Sequence, residues 1–336
     1  MGNTKSKNDT DSENSENISV IKNNINNNTY IIENKIYPLI YDSENRELDR
    51  LTYQHYLIKL LCDNKLFHID QIYEKLNNNN ETIKILECGC GTGIWSMELC
   101  EQYEYANIIG IDINNQFPNE IKPVNCIFRI LDILDANFQN KLSSLLKLDV
   151  QNYFDFIYQK FMVLALKEDD WNNIIKKYVN ILNHGGWIQF VETDLIIYNE
   201  FNNLPFSKKI QELINQLNKY FIKNNINNNY MKNLHKSFKE NNLLNIKKIV
   251  YSCPIGKSKN KNNSKTYDIL RNMMINNYIE GFRNFHKKIN FFDESEKDFE
   301  NTLIKFRNEL ENIEETYVNI YIIIGQKKKD DDRDPN

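Results

Sequence analysis

The stretch Ile85-Leu86-Glu87-Cys88-Gly89-Cys90-Gly91-Thr92-Gly93-Ile94-Trp95 decides the reading of this chain. Ile83, Ile85 and Leu86 lead in as a short buried strand. Gly89, Gly91 and Gly93 then make a turn that can bring bare backbone against a ligand, and a helix starts at about Ile94. The next strand, 107–113, carries Asp112, 19 residues beyond Gly93, where a carboxylate suits a ribose diol. Two strands and one helix therefore frame a nucleotide site.

The glycine spacing is Gly-x-Gly-x-Gly, unlike the Gly-x-Gly-x-x-Gly of dinucleotide sites, and no Gly-x-x-x-x-Gly-Lys-Ser/Thr loop is present. Glu87, two residues before the first glycine, would repel a pyrophosphate but attract the ammonium of an amino-acid moiety. That favours S-adenosylmethionine over NAD and argues against ATP hydrolysis.

The segment resembles motif I of the class I S-adenosylmethionine-dependent methyltransferases, and the likeness continues downstream in order. Cys126 to Ile133 reads as a third strand ending at Asp132, 154–158 as a fourth followed by Gln159, and His184 to Phe190 as a glycine turn and fifth strand. The resemblance implies that Asp112 binds the ribose beside Ile113, that Asp132 faces the adenine amino group with Ile133 on the ring, and that Glu87, Gly89, Cys90, Gly91, Gly93 and Gln159 complete the cofactor site. It also implies an α/β, Rossmann-like, doubly wound seven-stranded sheet in the order 3-2-1-4-5-7-6, with strand seven antiparallel, an N-terminal lid helix and extra helices. Strands near 83, 107, 126, 154 and 187 alternating with helical segments agree with such a sheet.

Residues outside that core narrow the likeness. Tyr37-Pro38-Leu39, Asp42, Glu47, Arg50-Leu51, Gln54-His55, Gly91-Thr92-Gly93-Ile94-Trp95, Trp171, Gly185-Gly186-Trp187 with Glu192 and Asp194, Pro254-Ile255-Gly256 and Gly325-Gln326-Lys327 resemble the LaeA-like group, also called TAM-domain or UMTA methyltransferases. The chain departs from that pattern at Glu87, Cys88, Cys90 and Lys160, the last standing where the group usually has Arg. Lysine cannot repeat a bidentate contact, so the region after strand four transfers least well.

Outward from the motifs, 48–62 places Leu48, Leu51, His55, Ile58 and Cys62 on one helical face, which turns His55 inward. Helices are expected at 205–221, 230–240, 266–288 and 293–313, the last with a capping-box candidate at Asp293-Glu294-Ser295-Glu296, and final strands at 247–253 and 317–325. The expected organisation is a disordered tail over 1–28, a methyltransferase domain over 29–328 (lid region 30–80, cofactor-binding core 81–195, helical insertions and last strands 196–328) and a disordered tail over 329–336. The Asn-rich runs, among them Asn77 to Asn80, read as loop filler.

For a methyl acceptor that must lose a proton, the candidate bases are His55, Tyr158, Glu192 and Asp194. The acceptor is expected to be a small molecule; a protein substrate or a non-catalytic regulatory role is the alternative. Net charge −4 gives no basic footprint for nucleic acid, and the six cysteines form neither a Cys-x-x-Cys pair nor a paired His motif, so no metal is expected. Cysteine usage and the lack of a long apolar run suggest a cytoplasmic chain, the nucleus being left open. Met1-Gly2-Asn3-Thr4-Lys5-Ser6 fits the N-myristoylation pattern with Gly2 as acceptor, which would give weak, reversible membrane attachment.

Overall fold

The computed structural model describes residues 29–32, 35–38, 46–78, 81–199, 204–260, 264–289 and 292–329. Gly2 and both expected tails, apart from Lys329, lie outside them. The chain divides into two compact units, 1–49 and 50–336. In the first, β1 (Thr29–Ile32) and β2 (Lys35–Pro38) pair antiparallel, with Tyr30 opposite Tyr37 and Ile31 opposite Ile36. Helix α1 (Arg46–Leu61) begins at its end and continues into the second.

The second unit is built on seven strands: β3 (Ile83–Cys88), β4 (Ala106–Asp112), β5 (Cys126–Ile130), β6 (Phe154–Lys160), β7 (Leu182–Tyr198), β8 (Leu244–Pro254) and β9 (Tyr317–Gln326). They lie in the order β5-β4-β3-β6-β7-β9-β8. Five are parallel, and β9 runs antiparallel to both β7 and β8. This is the expected 3-2-1-4-5-7-6 sheet.

Its helices are α2 (Asp70–Asn77), α3 (Ile94–Gln102), α4 (Phe138–Leu146), α5 (Glu168–Ile181), α6 (Lys208–Lys223), α7 (Leu234–Glu240), α8 (Lys265–Ile289) and α9 (Glu296–Asn312). The helix expected from residue 230 begins as a 3-10 turn, Asn228–Asn233, before α7. Ser295 caps α9, its hydroxyl accepting from the Asp298 N–H at 3.2 Å.

Alternation of strand with helix fails at one place: 113–125, between β4 and β5, contains turns and bends only. Pro118 and Pro123 within these residues remove backbone donors and disfavour helix at the residues before them. A second departure is β7, which runs on to Tyr198 past an irregularity between Thr193 and Ile197, so Glu192 and Asp194 lie inside the strand and not at its close.

Strand periodicity sorts the central side chains onto two faces. Leu86, Cys88, Ile157, Ile188, Phe190 and Ile323 pack with Phe138 and Leu142 of α4, Trp171, Ile174 and Tyr178 of α5, and Leu234 and Phe238 of α7. On the opposite face, Trp95 of α3 stacks on Tyr158, ring centroids 4.0 Å apart, and Phe67 meets Phe156. All six cysteines are buried free thiols. Among the described residues no helix is long and apolar enough to cross a membrane.

Candidate active site

At the carboxyl ends of the parallel strands, where open α/β sheets take ligands, the glycine turn leaves β3 with Gly89, Gly91 and Gly93 all in the left-handed region, at φ 67°, 53° and 71°. At Gly93 a Cβ would lie 2.4 Å from the Phe128 ring, so only glycine lets α3 start against β5. At Gly91 the space is open; the nearest atom to an added Cβ would be Leu51 Cδ1 of α1, at 3.5 Å. The turn is closed by Cys90 N–H donating to Ile111 O at 3.0 Å, with the Cys90 side chain buried.

Asp112 ends β4 with both carboxylate oxygens engaged. Oδ2 accepts from the Gly91 N–H at 2.9 Å and Oδ1 from the Asn114 N–H at 2.9 Å. Each oxygen keeps a lone pair for a hydroxyl. Next to it Ile113 is 62% exposed, and a groove of about 790 Å³ opens there, lined among others by Ile113, Ile130, Asp132, Asp135 and Lys141. Asp132 Oδ1 accepts from the Leu134 N–H at 2.8 Å. Ile133 turns away into the core against α4 and α5, and its carbonyl accepts from Lys177 Nζ at 2.9 Å.

Glu87 sits on the α3 face of β3, almost wholly buried. One carboxylate oxygen accepts from Ser96 Oγ at 2.6 Å. Since Gly93, the N-cap of α3, has no side chain to offer, Glu87 serves the first turn of that helix from the strand. Burial pushes its pKa up to about 7, with Lys160 and Ser96 opposing the rise. Gln159, on the other face, is fully buried and accepts from Tyr178 Oη at 2.8 Å.

The four candidate bases have different surroundings. Tyr158 is packed under Trp95, and burial together with the charge of Glu87 holds its hydroxyl protonated far above the usual range. Glu192, fully buried, accepts from the Met162 and Val163 N–H groups at 2.9 and 3.2 Å and so fixes the backbone after β6; burial raises its pKa to about 8. That backbone in turn sets Met162 against Gly89, where an added Cβ would come within 2.6 Å of its sulfur. Asp194 accepts from Tyr198 Oη at 2.6 Å and Tyr321 Oη at 2.7 Å. His55 points inward, as its helical spacing indicates, and its Nε2 lies 2.6 Å from Glu98 Oε2 on α3.

Glu98 also receives Lys59 Nζ at 2.6 Å. Burial alone would raise the Glu98 carboxyl, but the bonds and charges of His55 and Lys59 hold it down at about 2. For His55 burial outweighs the Glu98 bond and lowers the pKa to about 4. A neutral imidazole beside an ionised carboxylate must donate through Nε2, which assigns the lone pair to Nδ1. The role of Glu98 and Lys59 had no signature in the sequence, because neither belongs to a motif and only the packing of α1 on α3 brings them together.

Residues 85–186 match the family model described as a methyltransferase domain. The chain carries a methyltransferase domain of the class I, S-adenosylmethionine-dependent kind. Among curated relatives, the methyltransferase pytC of Aspergillus terreus is 27% identical over 170 residues, covering 50% of this chain and 45% of that protein. The secondary metabolism regulator laeA of Aspergillus niger is 30% identical over 162 residues, 47% of this chain and 37% of the relative. The chain thus spans less than half the length of either. Among solved structures, a Haemonchus contortus phosphoethanolamine N-methyltransferase 2 aligns with 88% of this chain and 62% of its own, at TM-score 0.44 and 11% identity; the fold of the domain rests on its strand order and not on this likeness.

The domain's residues fit the cofactor of its class. Asp112 retains lone pairs for two ribose hydroxyls, bare backbone at Gly91 adjoins open space, and Ile113 offers an apolar surface next to Asp132.

Proposed function

We propose that this chain transfers the sulfonium methyl group of S-adenosylmethionine to a small-molecule acceptor. The observation that carries the reading is the union of Gly91 and Asp112: the turn that approaches the ligand is hydrogen-bonded to the carboxylate that would hold its sugar. In this reading Asp112 takes the ribose, Asp132 the adenine amino group, Ile113 one face of the ring, and Glu87 with Gly89, Cys90 and Gly93 the amino-acid end. Ile133 and Gln159 act from behind, Ile133 by backing the Asp132 loop and Gln159 by filling the floor beneath β3. The bound cofactor supplies an electrophilic methyl group.

The protein's part is orientation and exclusion of water. Of the four candidate bases, Tyr158 keeps its proton, Glu192 is committed to two backbone N–H groups and Asp194 to two tyrosines. His55 is left, with Nδ1 as the atom that would receive a proton from the acceptor and Glu98 as the group that fixes the tautomer.

The named methyltransferase among the relatives supports an enzyme of this kind. The similarity to laeA favours a second reading, in which the chain acts on protein or regulates without turnover. Calorimetry with S-adenosylhomocysteine tests the cofactor site: Asp112→Ala should weaken binding about tenfold or more, the range for a lost charged hydrogen bond. Equal affinity in wild type and variant would remove the assignment. Radiolabelled methyl groups supplied to a cell extract should then appear in the organic-soluble fraction. Label confined to protein would reject the small-molecule acceptor in favour of the second reading.

A further inference from the structure

Lys160 is the last residue of β6. Register pairs Glu87 of β3 with Tyr158, so Lys160, two residues further on and on the same face, is the diagonal neighbour of Glu87 at the ligand edge. Around it stand Glu87, Glu98 and His55. Glu98 is held ionised by its bonds to His55 and Lys59, while burial resists ionisation of Glu87.

Among the described residues the Lys160 ammonium makes no hydrogen bond or ion pair, although the side chain is half-buried. The contrast with Lys59 is instructive. Both lysines lie close to Glu98, yet Lys59 is bonded to it at 2.6 Å while the ammonium of Lys160 remains without a direct partner. Taking a cation out of water without a bonded counter-charge is unfavourable. Burial accordingly lowers the pKa of Lys160 against the pull of Glu87 and Glu98. Glu87 shows the mirror image, its acidity weakened by burial and supported by Lys160.

An acid and an amine therefore stand side by side beside bare glycine backbone, each with capacity unused. The ligand end that complements them carries an ammonium and a carboxylate on one carbon. We propose that Lys160 binds the α-carboxylate of the cofactor's amino-acid end while Glu87 takes its ammonium, so that the pair reads the zwitterion as a unit. This rests on the cofactor reading of the preceding subsection. It assigns Lys160 a positive role, where sequence comparison marked only a departure from Arg.

The test removes the carboxylate from either side of the contact. Calorimetry on the full chain compares S-adenosylhomocysteine with its decarboxylated amine analogue, which keeps the nucleoside, the sulfur and the ammonium. Wild type should prefer the intact ligand about tenfold or more. Lys160→Met should abolish that preference while binding the decarboxylated analogue as wild type does, which also reports that the variant is folded. Lys160→Arg should keep it. A wild type without preference, a Lys160→Met variant that retains it, or equal loss for both ligands would overturn the assignment. Binding of neither ligand by wild type would instead overturn the cofactor reading, and this inference with it.

Discussion

Glu192 shows how a single carboxylate can be committed to architecture at a ligand edge. It is fully buried and receives the N–H groups of Met162 and Val163, the backbone that follows β6 and packs Met162 toward Gly89. Replacing it by Gln leaves one acceptor oxygen and turns an NH2 toward a backbone donor, which should cost about 1–3 kcal/mol for the unsatisfied group. The pH dependence has a definite sign. With a folded pKa of about 8 against 4.5 for the free side chain, burial resists ionisation. Below pH 4.5 the carboxyl is protonated in both states and has no effect. As pH rises from there to about 8 the unfolded chain ionises first, and wild type loses stability. Glu192→Gln has no such slope. Urea denaturation should therefore show the variant furthest below wild type at pH 5, with the gap narrowing toward pH 8. A gap that stays constant or widens would mean that Glu192 is ionised in the folded protein.

At the scale of elements, α1 is held on two sides. Arg50 and Gln54 both donate to Asn277 of α8, at 3.1 and 3.3 Å, while His55 and Lys59 are bonded to Glu98 of α3. Sequence periodicity was enough to turn His55 inward, because 3- and 4-residue steps report a helical face whatever that face meets. The partner was not legible, since Glu98 belongs to no motif and its meaning depends on a helix packed from elsewhere in the chain. The same distinction covers the rest. The glycine turn and the strands themselves could be read because backbone geometry and hydrophobic runs are local properties, whereas the strand order was implied only by the family resemblance. That Ile133 turns into the core, that Glu87 serves α3 and that β7 runs on past Asp194 depend on neighbours from other elements. The fastening of α1 makes a direct prediction. Glu98→Gln removes the carboxylate to which both His55 and Lys59 are bonded and should destabilise the protein by about 3–5 kcal/mol, as breaking a buried pair does. Lys59→Met in the same chain should cost less than it does in wild type, because the bond it removes is already broken. Thermal melts of the two single variants and the double variant measure this. Additive losses would show that Glu98 and Lys59 are not coupled.

For the whole unit, the decisive feature is that the last strand of the chain is not at the edge of the sheet. β9 lies between β7 and β8, pairing Ile323 with Phe190 on one side and with Lys248 on the other. Ile320, Ile322, Ile323 and Ile324 are all buried, and Gly325 lets the sheet pass close under Phe238 and Leu243 of the α7 region. The parallel half, which carries the glycine turn and Asp112, is continuous with this region through β7, the same strand that holds Glu192 and Asp194. Removal of β9 would expose two long strand edges and strip a layer of isoleucines from both faces, and unpaired apolar edges favour aggregation over folding. The net stability of a domain is small beside such a loss, so no compensating rearrangement of β7 and β8 should rescue it. A chain ending at residue 313 is therefore expected to be insoluble or, if recovered, to unfold without a cooperative transition and to bind no S-adenosylhomocysteine, even though every residue assigned to the cofactor is present. Soluble protein with a cooperative melt and retained binding would show that the parallel strands fold without the C-terminal antiparallel pair, and would place the stability of the site in β3 to β7 alone.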